Sequence, residues 1–201
     1  MNEDDGSRAV SDPAQVRLLS SPARQEIVDT LAALGGEAGV ASLAGQLGRP
    51  ADGLYYHLRA LVAGRLVEEL PREGGERRFR LAGEGGAPLR LVYDLGPNGN
   101  AAELRAFANG LLQVAGRDFE SALERGDAAV IGAGRELWAS RNKGWLSPGD
   151  IAEVNAILER LSELTSQPKV AGRDRLISLA FVLAPIDAQP KRRTSRSADQ
   201  N

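Results

Sequence analysis

Hydrophobic positions recur every three or four residues through the first third of the chain, then switch to strict alternation. Asp12-Pro13 and Ser21-Pro22 each give a capping residue followed by proline, the signal of a helix start. Behind the second, Ile27, Val28, Leu31 and Leu34 keep helical spacing until Gly35-Gly36 stops them. Val40, Leu43, Ala44 and Leu47 define a shorter helix closed by Gly48, and a third helix runs from Arg49-Pro50 to about Ala63. Alternation over Leu66 to Leu70 and Arg77 to Leu81 then predicts two strands, joined by Pro71 to Glu76 with the turn at the glycines.

Gly83-Glu84-Gly85-Gly86 has linker composition, and Pro88 to Leu95 reads as a further strand. Residues 101–125 form a long helix whose Leu104, Ala108, Leu111, Ala115, Phe119 and Ala122 make a seam suited to a partner helix. A short strand is expected around Leu137-Trp138. Ser147 to Asp150 resembles a capping box opening a helix with Ile151, Val154, Ile157, Leu158, Leu161 and Leu164 on its buried side. Leu176 to Leu183 reads as a buried strand. The expected organisation is a disordered start at 1–11, a helical and hairpin domain at 12–82, a linker at 83–87, a C-terminal domain at 88–185 and a disordered basic tail at 186–201.

Composition removes several kinds of chemistry. The chain has no Cys and a single His, which excludes disulfides and thiolate chemistry and leaves one base for any histidine-dependent triad. No phosphate-binding glycine loop or metal-spaced cluster occurs, and Glu68-Glu69 alternate across a strand so that their side chains diverge. The expectation is a protein that is not an enzyme and has no cofactor or metal. No apolar run reaches membrane-span length and the start is acidic, so no membrane association and a cytoplasmic location are expected.

The net charge is −2, but between Arg49 and Arg80 seven Arg stand against five acids. Any polyanion-binding surface must therefore be local. On a helical wheel, Leu54, Leu58 and Leu61 fall on one side of residues 50–62 with His57 on the flank. Asp52, Tyr56 and Arg59 fall opposite, with Tyr55 beside them. Arginine matches guanine's paired acceptors or a phosphate, and tyrosine can donate to phosphate or stack. Alternation turns Phe79 and Leu81 inward, and so Arg78 and Arg80 outward near Arg72 and Arg77. A solvated face is the competing reading of the helix alone; the basic hairpin behind it favours contact with nucleic acid. His57, at the edge of the apolar stripe, reads as a packing residue.

The ordered set Leu19-Ser20-Ser21-Pro22-Ala23-Arg24-Gln25-Glu26-Ile27, Ser42 to Gly48, Leu54 to Leu61, Gly64-Arg65-Leu66-Val67 and Glu76 to Leu81 resembles the winged helix-turn-helix domain of ArsR-like bacterial transcriptional regulators. The resemblance covers about a third of the chain. It implies a winged helix-turn-helix domain, and with the strand and helix pattern of residues 88–185 the expected fold is α+β, that domain followed by a smaller mixed α/β dimerisation or regulatory region with a long helix. It also implies that Tyr55, Tyr56 and Arg59 face DNA and that Arg24 meets a phosphate. Arg65 stands where the family has glycine, with Gly64 expected to take over, and Pro50 stands where Ser or Thr usually caps the helix. The metal-sensing Cys and His signatures are absent.

The expected function is that of a homodimeric, sequence-specific regulator binding double-stranded DNA, paired through helix 101–125. Residues 50–62 would enter the major groove and the wing, residues 71–81, would lie on the backbone. The alternative is a winged-helix module that binds an acidic protein. An unknown small-molecule or protein effector would act through the C-terminal half. There Arg135, Trp138, Arg141 and Trp145 are candidates to line a ligand pocket, against the plainer reading of core tryptophans and solvated arginines.

Overall fold

A computed structural model describes residues 8–167, 169–173 and 175–186. Helix α1 (Pro13–Leu19) starts as its cap predicts, with the Asp12 carboxylate accepting from the Ala14 amide at 2.8 Å. Helix α2 (Pro22–Ala33) follows Ser21 without a side-chain cap and ends at Gly35 and Gly36, both at positive φ. A strand that periodicity did not reveal, β2 (Glu37–Gly39), leads into α3 (Val40–Leu47). Three residues are too few to show a period. Gly48, in the left-handed region, closes α3, and α4 (Ala51–Ala63) begins three residues later.

Strands β3 (Val67–Glu73) and β4 (Glu76–Leu81) form a longer hairpin than alternation suggested. Its turn is only Gly74-Gly75, both at positive φ as a tight two-residue hairpin turn requires. The turn falls at the glycines as the sequence indicated, and the strands run closer to it because Pro71 is absorbed in a pairing irregularity between Leu70 and Glu73. The antiparallel sheet has the order β2-β4-β3. Its inner side, with Val67, Phe79 and Leu81, closes over Ile27, Leu31, Leu43 and the leucines of α4 to make the core.

The turn between α4 and β3 corrects one expectation. The left-handed residue is Arg65 itself, at φ 56°, while Gly64 has φ −78°. A Cβ on Gly64 would lie 2.2 Å from Leu18 Cδ1, a side-chain end that would have to move aside. Arg65→Gly is accordingly expected to raise stability by about 0.5–1 kcal/mol, read as a higher urea midpoint at unchanged slope.

Two segments expected to be loose are built into the fold. Arg8 to Val10 form β1 (Arg8–Val10), which pairs in parallel with β5 (Leu89–Leu91), and Val10 is fully buried. The glycine-rich residues 83–87 hold a 3-10 turn, Glu84–Gly86. They dock on the end of α2, where a Cβ on Gly36 would meet the Gly86 carbonyl oxygen at 2.2 Å. Here glycine serves close backbone approach instead of linker freedom. Beyond β5, Asn100 is completely buried: its amide donates to the Ser11 and Val92 carbonyls at 2.9 Å, and its Oδ1 accepts from the Asp94 amide at 3.0 Å. It fixes the start of α5 (Ala101–Arg125).

The first half of α5 packs on α1 and α2 of its own chain. Leu104, Gly110 and Val114 are its buried positions, and a Cβ on Gly110 would come within 2.7 Å of the Ser20 carbonyl oxygen. The seam expected to receive a partner helix is thus partly occupied from within. Helix α6 (Pro148–Thr165) has its capping box, Ser147 and Asp150 bonding reciprocally. Its apolar side, however, has no buried residue. Residues 176–183 and the region of Leu137-Trp138 form no strand. A strand needs a hydrogen-bonding neighbour, and the described residues supply none there. Tail residues 187–201 and residues 1–7, expected to be disordered, lie outside the described residues.

Candidate nucleic-acid interface

Helix α4 is held by one side and offered by the other. Leu54, Leu58 and Leu61 are at most 1% exposed, while Asp52, Tyr56 and Arg59 stand in solvent, Tyr56 at 69%. Tyr55 is half-buried, its ring 5.0 Å beneath the Arg77 guanidinium, which also lies 5.6 Å from the Phe79 ring. This stack joins the helix to the hairpin. Asp52 lies in the first turn of α4, where the helix dipole favours an acid.

The hairpin arginines are less available than alternation implied. Phe79 and Leu81 do turn inward, but the arginines are paired with acids of the same sheet. Arg77 donates to both oxygens of Glu69 at 2.7 Å, Arg78 meets Glu37 at 2.7 Å and Arg80 meets Glu68 at 2.9 Å. Glu68 sits directly across from Arg80 in the β3–β4 ladder, so the pairing follows from register. The bond from Arg77 holds the Glu69 carboxyl below its ordinary range, with Arg72 and Arg59 adding to the effect. Glu69 is thus an acid ringed by three arginines, which the sequence showed only as one of two diverging acids. Arg59 and Arg72 are exposed and make no ion pair with another described residue. Exposed pairs of this kind contribute about 0–1 kcal/mol, so a phosphate can compete for the paired guanidinium groups.

Arg24 does not stand out as a phosphate ligand. Its guanidinium donates to the Leu18 carbonyl at 3.3 Å, and its Nε is buried without a partner. His57 packs beside it, edge-on to Tyr56 at 5.3 Å. Burial lowers the His57 pKa, and the charges of Arg24 and Arg49 lower it further, so the imidazole is neutral at pH 7. That agrees with a packing role.

Of the four residues suggested for a ligand pocket, the structure brings Arg135 and Trp138 together. Arg135 stacks 3.9 Å over Trp138 and donates to the Leu137 carbonyl, while Arg141 is exposed and Trp145 is 90% exposed. None lines the cavity of about 500 Å³ that lies between Leu34 and Gln46 on one side and Leu164, Arg173 and Ile177 on the other. The tryptophans are not core either, because no described residue from 126 to 186 is buried.

Between α2 and α5, Asp29 borders a small apolar cavity with Val28, Leu89 and Phe107. The packing around its carboxyl, with Asp118 and Glu26 adding repulsion, raises its pKa from 3.8 to about 6. The folded state therefore holds this proton more tightly than the unfolded one. The resulting stability is complete below pH 4 and is lost as pH rises through about 6. The side chain stays open to water, which screens much of the effect. Asp29→Asn is expected to stabilise the protein at pH 7–8 by about 1 kcal/mol, or roughly 2–4 °C in Tm, and to leave Tm at pH 4 unchanged.

Among the described residues no group of acids and histidine is placed to hold a metal, and no helix is long and apolar enough to cross a membrane. No protein-family model matches the chain. No curated protein matches it either.

Proposed function

We propose that α4 and the β3–β4 hairpin form the DNA-contacting face of a winged helix-turn-helix regulator. The observation that carries this reading is the division of α4. Three fully buried leucines fix the helix, and the opposite side presents Tyr56 and Arg59 to solvent with Arg72 of the hairpin nearby. The order α2, α3, tight turn, α4, hairpin supports it, as does the resemblance to ArsR-like regulators. In this reading α4 enters the major groove, Arg59 reaches a base edge or phosphate, and Arg72 and Arg77 meet the backbone beside it. The charge-balanced outer side of the sheet, with Arg78, Arg80, Glu37 and Glu68, takes a smaller share than the sequence suggested. A homodimer would set two such helices on half-sites about 34 Å apart or a multiple of it.

The test is selection of genomic fragments by the full chain, followed by anisotropy titrations of the selected and a scrambled duplex at several salt concentrations. Tighter binding to the selected duplex is expected, with affinity falling as salt rises in proportion to the phosphates engaged. Equal affinity for both duplexes, or none at low salt, would overturn the reading. Binding to an acidic protein in place of DNA would establish the alternative.

A further inference from the structure

We infer that α6 and the apolar segment 176–183 form a homodimer interface in which that segment of one chain pairs, strand to strand, with the same segment of a second copy. The inference does not depend on the DNA-binding reading.

The chain carries more surface than a compact monomer needs. The chain exposes 14854 Å², whereas a compact monomer of 21.3 kDa exposes about 9,100 Å². Granting every undescribed residue the full surface of an unfolded chain, about 1.45 Å² per dalton, still leaves an excess of about 2,000–3,000 Å². A stable obligate dimer removes roughly 1,000–2,500 Å² from each partner, so a second copy is an occupant of the right size.

Much of the exposed apolar surface lies in the C-terminal part of the chain. No described residue from 126 to 186 is buried, and large apolar side chains there stand in water. In α6, Ile151, Ile157 and Leu164 are 46%, 52% and 55% exposed. In the segment, Leu179, Phe181 and Leu183 are 46%, 44% and 53% exposed. The segment is tied to its own chain by Ser178, whose hydroxyl donates to Asp118 of α5 at 2.5 Å. Its backbone makes no hydrogen bond to another described residue. An apolar run whose backbone has no partner among the described residues is open to pairing with another strand.

The segment is also complementary to itself. Residues 176–183 carry no charge, so two copies lie side by side without opposing like charges. Each then satisfies the other's backbone, as an isologous two-fold contact requires. The apolar side of α6 belongs to the same interface.

The test begins with sedimentation equilibrium of the full chain at micromolar concentration. A dimer is expected for the native sequence, and Leu179→Glu with Phe181→Glu is expected to give a monomer. Leu112→Glu, on the exposed side of α5, is expected to leave the dimer intact. A native monomer would overturn the inference. So would a dimer that survives the double change, or one lost through Leu112→Glu alone.

The chain has no Cys, which allows a second measurement that does not rely on disruptive changes. Single cysteines placed in turn at 177–183 should form an intermolecular disulfide at one position or two neighbouring ones, those beside the two-fold axis. Cysteine at Leu112 should form none. Absence of cross-linking throughout 177–183 would overturn strand pairing, including the case in which the glutamate variant fails to fold.

Discussion

Arg59→Ala is expected to weaken binding to the selected DNA by about 1–3 kcal/mol, roughly 5- to 150-fold, and to relax preference at one base pair. The expectation follows from its place on the solvent side of α4, opposite the three buried leucines, in no ion pair with a described residue. Glu69→Gln should act in the other direction. It removes the acid that Arg77 holds with two bonds and that Arg72 and Arg59 face. Affinity for any duplex should rise and the salt dependence should steepen. If Arg59→Ala weakens selected and scrambled DNA equally, Arg59 meets phosphate and reads no base. If Glu69→Gln lowers affinity, the acid belongs to the recognition surface and is not a competitor of the phosphates.

Phe79→Ala is expected to cost about 3–5 kcal/mol of folding free energy, a large part of the stability of a domain this size. The side chain is the largest of those fully buried, and it closes the sheet over the helices. Its ring also lies 5.6 Å from the Arg77 guanidinium, which covers Tyr55 in turn. Loss of the ring therefore loosens both the core and the link between hairpin and α4. Urea unfolding should show a much lower midpoint. A loss below about 1 kcal/mol would mean that Phe79 is not the closure of this core.

The helices and the hairpin were legible because they carry their own signals. Caps at Asp12 and Ser147, glycines after α2 and α3, and the leucine stripe of α4 are local features, and each appears in the structure as read. What was not legible depends on pairing between distant residues. The strand Arg8–Val10 exists because Leu89–Leu91 lies beside it. Arg77 and Arg80 face acids set by the register of a ladder, and alternation gives a residue's side without its neighbour. Gly83 to Gly86 looked like a linker because composition does not distinguish glycine used for freedom from glycine used for contact. The strand expected at 176–183 has the right composition, and within one chain it lacks a neighbour.

Asn100 gives the molecule a mechanical property. Three buried hydrogen bonds clamp the root of α5 to the ends of both parallel strands, and Leu104, Gly110 and Val114 seat its first half against α1 and α2. Beyond Val114 the helix continues to Arg125, about 16 Å at 1.5 Å per residue, with no further buried residue but with Arg117 3.4 Å from Glu26 of α2 and Asp118 bonded to Ser178. The buried root and these polar contacts tie α5 along most of its length to the body that carries α4. A force applied at its far end would turn that body as one piece.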